Sequence, residues 1–247
     1  MTTLVAGLLV SAHRYHAPFR IMIDSKSLSD FLNAYFHAPR PDLLHSHDGA
    51  RSRVPQKIWD EKVFRESFTG ASRRFGRTPL YLSDHDLSEL NRLGITWALA
   101  ATRDELGRIA MLIAAASEVP PATFQAVLQR CYDEGDTRER HSILRALPLL
   151  PSAERFTTLA FDAGRSHLQP LFEALACDNP YPSTYFPGRP MNHMVLKALS
   201  LGIPLDRIIG LERRMTPELK RMAEDYVGER RAAGRSIPGD VRLLLRE

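Results

Sequence analysis

Residues 121–147 read PATFQAVLQRCYDEGDTRERHSILRAL, and the helical runs within them decide the fold. Two short runs, Phe124 to Tyr132 and Thr137 to Leu147, follow each other closely enough for the second to fold back on the first. The pattern continues downstream. Ala153 to Ala163 pairs with Leu168 to Cys177, and Met191 to Leu201 is followed by Leu205 to Leu211. A pair takes about 30 residues, the scale at which helical hairpins stack, each burying the face its neighbour leaves open. No alternating strand pattern interrupts the series. The expectation is an all-α chain whose paired helices form a HEAT-like right-handed superhelix, an α-solenoid, with an irregular bundle as the alternative.

Helix-start signals frame the rest of the chain. Ser83-Asp84-His85-Asp86 opens a helix that runs to Leu93 and stops at Gly94; Thr102-Arg103-Asp104-Glu105 reads as a capping box ahead of Leu106, Ile109, Ala110 and Ile113. Thr216-Pro217-Glu218 supplies a cap, a proline at the first helical position and an early acid. Toward the N-terminus, Leu28, Phe31, Leu32 and Tyr35 keep three-and-four spacing within 25–37, a short amphipathic helix. Residues 39–55 collect Pro, Arg, His, Ser and Gly without periodicity, as a linker does. The organisation read from this is an extension over 1–57 and a helical-repeat domain over 58–247.

Composition bounds the function classes. With 44% hydrophobic and 25% charged residues in 247, the chain is an ordinary globular protein. A net charge of +4 and a pI near 9.2 are too mild a surplus to point to nucleic acid. The opening run, Thr3 to Val10, lacks the preceding basic residues and the small-residue cleavage site of a secretion signal and reads as an extension, with Met22 as an alternative start; nothing else is long and apolar enough to span a bilayer. Cys131 and Cys177 sit in separate helical runs without a second thiol at metal or redox spacing, so both are expected as buried, reduced thiols in a cytoplasmic protein.

The candidate site lies between residues 173 and 197. Asp178-Asn179-Pro180-Tyr181-Pro182 places an amide and a phenol in a stretch stiffened by two prolines, which bias Asn179 and Tyr181 toward extended geometry. Structurally, Asn179 would end the preceding helix and Tyr181 would pack between repeats; functionally, both would line a pocket. Asn192 shares a helical face with Leu196, Leu199 and Ile203, so an amide stands on an apolar stripe and needs partners, either the backbone of residues 180–185 or a ligand. His193 and Lys197 are one turn apart on another face; the lysine is a phosphate or carboxylate binder if that face is concave, and solvated otherwise. Glu173, one turn before Cys177, is a candidate acid or base, or the partner of Arg145 or Arg165. His45, His47 and Asp48, like His13 and His16, lie outside the predicted domain, and no metal site is expected from them. No glycine-rich phosphate loop, nucleophile elbow or dinucleotide fingerprint is present, so no cofactor is expected.

Several short motifs recur here in a familiar order: Arg138-Glu139-Arg140, Leu144 to Pro151, Glu154-Arg155-Phe156, Phe172-Glu173-Ala174, Asn179 to Pro182, Asn192, Val195 to Ala198 and Glu229 to Arg235. Together with Ala71-Ser72-Arg73-Arg74-Phe75-Gly76 they resemble the EboA family, over about residues 73–238. His193 stands where that family's pattern has glutamine, and the segment before Ile58 has no counterpart in it. The resemblance implies an all-helical bacterial protein encoded beside a prenyltransferase, a metal-dependent hydrolase, an isomerase-like protein and a cyclase, in clusters that make or export a metabolite. Paired helices without a recognisable catalytic set point to an accessory, non-catalytic role, with cluster-encoded enzymes or a small-molecule intermediate as partners; the small charge surplus speaks against nucleic acid, and no run is long and apolar enough for membrane insertion. The alternative is an enzyme acting on a small polar metabolite, prenylated or cyclitol-like, at the Asn179–Pro182 stretch.

Overall fold

Short polar side chains start four of the helices described below, by accepting from backbone N–H groups that the first turn leaves unpaired. The computed structural model describes residues 59–92, 95, 97 and 101–245; the helix expected over 25–37, the linker, and the Leu93-Gly94 stop lie outside them. Asp60 accepts from Val63 N at 3.1 Å and starts α1, Glu61–Thr69. Helix α2, Ala71–Phe75, follows, and Ser83 and Asp86 bond reciprocally at the head of α3, Asp84–Arg92. Next come α4, Arg103–Glu118; α5, Pro121–Glu134; and α6, Thr137–Ala146. The chain continues through α7, Thr157–Arg165; α8, Gln169–Ala176; α9, Tyr181–Tyr185; and α10, Gly188–Ser200. Thr216 accepts from Leu219 N at 3.1 Å to cap α11, Pro217–Ala232, and α12, Val241–Leu245, closes the series. Among the described residues there is no strand, only an antiparallel bridge between Pro79 and Thr102. The all-α expectation holds.

Three local expectations need correction. Thr102 does precede α4, but its side chain caps nothing; its hydroxyl donates instead to Asp104 Oδ1 at 2.6 Å. The reciprocal capping box is at Asp136 and Glu139, where Glu139 N reaches Asp136 Oδ1 at 2.8 Å and Asp136 N reaches Glu139 Oε2 at 2.7 Å. The run from Ala153 begins as a 3-10 turn, Ala153–Phe156, before α7, and the expected Leu205–Leu211 helix is two 3-10 turns, Leu205–Arg207 and Leu211–Arg214. Pro204 and the left-handed Gly210 (φ +76°) bracket that segment too tightly for an α-helix to propagate.

The packing runs through alternate helices. Helix α4 lies against α2 on one side and α6 on the other, and α6 lies against α8; α5 packs beside α6, and α7 beside α8. Close approach of α2 and α4 depends on Gly107, where a Cβ would stand 2.4 Å from Phe75 Cδ2. Helix α4 is enclosed all round, with an unbroken buried run from Asp104 to Ile113. Its aliphatic members, Leu106, Ile109, Leu112 and Ile113, are each 2% exposed or less, worth about 1.5–3 kcal/mol apiece in burial. Three charged side chains, Asp104, Glu105 and Arg108, are buried within the same run.

Candidate functional site

The residues singled out from the sequence fall into separate environments. Asn179 is buried and satisfied: Nδ2 donates to Ala174 O at 2.9 Å and Leu144 O at 3.1 Å, and Oδ1 accepts from Tyr181 N at 2.9 Å. It ends α8 and ties it to α6. Tyr181 is not extended; it opens the short helix α9. The pre-proline preference is outweighed because Pro182 falls in the first helical turn, where its missing N–H costs nothing, and because the ring is buried in the core. Tyr181 is 0% exposed, donates to Ala153 O at 2.7 Å, and meets Tyr185 and Phe186 with ring centroids 4.8 and 6.4 Å away. Burial raises its pKa, so the phenol keeps its proton.

Lys197 is neither solvated nor poised for an anion. Its Nζ donates to Gly164 O at 2.9 Å and Ser166 O at 2.7 Å, closing the C-terminus of α7, and lies 4.5 Å from the centre of the Phe172 ring. His193, one turn earlier, is exposed. Glu173 pairs with an arginine, though not Arg145 or Arg165: Arg207 Nη1 reaches its Oε2 at 2.9 Å, and Arg207 Nη2 reaches Asp178 Oδ2 at 2.9 Å. Hydrogen bonds from Gln169 and then Arg207 hold the Glu173 carboxyl below its usual range. Asp178 takes the left-handed φ of +55°, which turns the chain after α8 and brings its N–H onto Arg207 O at 2.7 Å.

Asn192 is 1% exposed, and neither atom of its amide finds a hydrogen-bond partner among the described residues. The expected bonds to the backbone of residues 180–185 are therefore not made. An unsatisfied buried amide is destabilising, so Asn192→Leu is expected to raise stability by about 1–2 kcal/mol in a denaturant titration. A loss of that size would show that the amide is satisfied in solution.

Two constellations went unread in the sequence, and both lie on the α2–α4–α6–α8 row. In the first, Asp104 accepts from Ser72 Oγ at 2.7 Å, from Thr102 Oγ1, from Arg108 Nη1 at 2.8 Å, and from Arg138 Nη2 at 2.8 Å. Arg108, 1% exposed, also donates to Phe68 O at 3.1 Å and Ser72 Oγ at 3.2 Å. Burial alone would raise the Asp104 pKa; the bonds from Arg138, Thr102, Ser72 and Arg108 outweigh it and hold the carboxyl well below the usual range. In the second, His141 Nδ1 lies 3.2 Å from Glu105 Oε1, out of line, so that oxygen has no hydrogen-bond partner among the described residues. One turn on, the Arg145 guanidinium lies over the Trp97 ring at 5.2 Å, with Nε and Nη1 buried and unpartnered. Burial lowers the Arg145 pKa, opposed first by the Glu105 carboxylate and then by Asp178. The legible signal was spacing: Arg138, His141 and Arg145 recur at three and four residues, one face of α6.

Cys131 and Cys177 are buried and free, each pushed up to about 11 chiefly by burial. A disulfide-exchange reagent at pH 8 is expected to react at least about tenfold more slowly with the native chain than with the unfolded one; equal rates would contradict the burial. Among the described residues no group of three or more His, Cys, Asp or Glu is arranged to hold a metal, and no helix is long and apolar enough to cross a membrane. His45, His47 and Asp48 lie outside the described residues.

The family model described as metabolite traffic protein EboA matches residues 44–245. The chain belongs to the EboA family. The match takes in every described helix and begins upstream of Ile58. Both buried constellations and the Asn179–Tyr181 junction therefore sit inside the EboA region. No curated protein and no solved structure matches the chain.

Proposed function

We propose that the chain is an accessory, non-catalytic member of a bacterial metabolite-traffic system, acting in the cytoplasm by binding a pathway intermediate or a cluster-encoded enzyme. The α2–α4–α6–α8 row is read as the inner layer of a HEAT-like right-handed superhelix over 58–247, with 1–57 as an extension, so that the intermediate or enzyme lies along the row. The observation that carries this is the state of the candidate reactive groups. Lys197 is held by two carbonyls, Tyr181 by Ala153 O, and both thiols sit near 11. Asp104 is saturated with donors. Neither the phenol, the thiols nor the Asp104 carboxyl is a base poised near neutral pH, as proton-transfer catalysis requires.

Charge supports a partner other than nucleic acid. Residues 1–58 hold 7 basic and 4 acidic side chains, so 26 basic and 25 acidic remain over 59–247, a surplus of one. That is too little for a phosphate backbone.

The enzymatic alternative, with Glu173, Asn179, Tyr181, Asn192, His193 and Lys197 lining one pocket, finds less support, because these side chains are engaged separately or face apart. The test is native mass spectrometry of the purified chain after incubation with extract of its host, beside a pull-down from the same extract. An added small mass, or recovery of a cluster-encoded enzyme, is expected. Neither appearing would overturn the traffic reading.

A further inference from the structure

Helix α1 is joined to the rest of the chain by two different kinds of contact. At its C-terminal end Phe68 is 1% exposed, its carbonyl accepts from Arg108 Nε at 3.1 Å, and the Arg108 guanidinium lies 5.8 Å from the centre of its ring. That end is pinned to the Asp104 constellation. Ahead of it the aromatic contacts run along the helix itself: Trp59 meets Phe64 with ring centroids 5.0 Å apart, and Phe64 meets Phe68 at 5.9 Å. Trp59 and Phe64 are half-buried, and Val63 is 50% exposed. Charge links this part of α1 to α5. Arg130 donates to the Glu61 carboxylate at 2.7 Å and Arg65 donates to Glu134, both across 69 positions of sequence.

The order of these charges fixes the register. Each helix carries an acid and a base one turn apart, acid first on α1 and base first on α5, so in the observed alignment both contacts are attractive. A slip of one turn would set Glu61 against Glu134 or Arg65 against Arg130. All four side chains are more than a third exposed, so each pair is weak and screened by salt. The contact is therefore specific in place and loose in strength. Cys131 lies on α5 between Arg130 and Glu134, is 6% exposed, and is near enough to Arg65 and Glu61 for their charges to act on its thiol. It sits beside the ion-paired face.

We propose that residues 59–67 form a salt-gated strap, which peels from α5 ahead of the Phe68 anchor, uncovers Cys131, and recloses in the register set by the two ion pairs. The closed form predominates. The helix row stays folded while the strap opens, because Phe68 and the Asp104 constellation lie beyond the break and hold α2, α4 and α6 together. Access to that stretch of α5 is thereby set by ionic strength, independently of the traffic reading above.

The test is amide hydrogen exchange of the full-length chain, read by peptide mass at low salt and in about 1 M sodium chloride, where charge screening is nearly complete. Exchange across 61–67 is expected to quicken about threefold in high salt while that of α4 is unchanged. Glu61→Gln combined with Glu134→Gln should quicken it as much at low salt and remove the salt response. Glu134→Arg should open the strap further, and adding Arg65→Glu to it should restore the wild-type rate, which a mere change of surface charge would not do. These substitutions are at exposed side chains and leave the core untouched. Alkylation of Cys131 by iodoacetamide should rise and fall with the exchange, while that of Cys177 stays level across the variants. Exchange in α1 that ignores salt or moves together with α4 overturns the proposal. So do a glutamine pair that behaves as the wild type, a charge exchange that restores nothing, and Cys131 labelling that stays level while exchange quickens.

Discussion

Asp104→Ala is expected to destabilise the chain by about 3–5 kcal/mol, because it strips a buried guanidinium of its counter-charge. Arg108 is 1% exposed and cannot swing to water; without Asp104 it keeps only Phe68 O and Ser72 Oγ. Arg138, with its side chain 41% exposed, is the more forgiving partner. For a chain of this size the change corresponds to a melting temperature lower by roughly 6–20 °C. Asp104→Asn keeps the shape and some acceptor capacity and falls between the two. The sign with pH follows from the direction of the shift. The carboxyl titrates lower in the folded chain than in the unfolded one, so its contribution is fully present above the ordinary aspartate value of about 4. It is lost as pH falls below that value toward the folded pKa. Denaturant midpoints measured from pH 6 downward should therefore fall more steeply for the wild type than for Asp104→Ala; parallel curves would mean that Asp104 is not ionised in the fold.

What was legible in the sequence was whatever local chemistry decides. Thr216-Pro217 and the Ser83–Asp86 pair start helices because their side chains reach backbone donors three residues away, without help from the rest of the chain. Thr102 fails as a cap because packing turns its hydroxyl to the buried site, where it donates to Asp104 Oδ1 and its oxygen accepts from Arg138 Nη2 rather than from a backbone N–H. Glu173 found Arg207, 34 residues away, rather than the nearer Arg165, because Arg207 arrives beside α8 on a 3-10 turn that periodicity read as α-helix. The Asp104 and Arg145 constellations have the same origin. Their charges come from helices separated by some 30–70 positions, and only the stacking order of α2, α4, α6 and α8 brings them together. An arginine quoted as part of a motif, such as Arg145, gives no sign from its neighbours in sequence that it is buried.

Tyr181→Ala is the second large effect, with an expected loss of about 3–5 kcal/mol from the cavity left by a fully buried aromatic side chain. The ring stands at the head of an aromatic chain in which Phe186 in turn meets Phe161 edge-on at 4.6 Å, so the void opens between α7 and α9 where little can collapse into it. Tyr181→Phe separates structure from chemistry. It fills the cavity and removes only the bond to Ala153 O, which should cost about 1–2 kcal/mol. Because burial holds the phenol protonated, a structural Tyr181 predicts that Tyr181→Phe folds, melts slightly lower, and supports the same pathway output in its host. An acid–base role predicts the reverse pairing: near-native melting with output abolished. Measuring both on the same variant decides whether the Asn179–Pro182 junction is architecture, as its complete set of internal hydrogen bonds argues, or part of an active site.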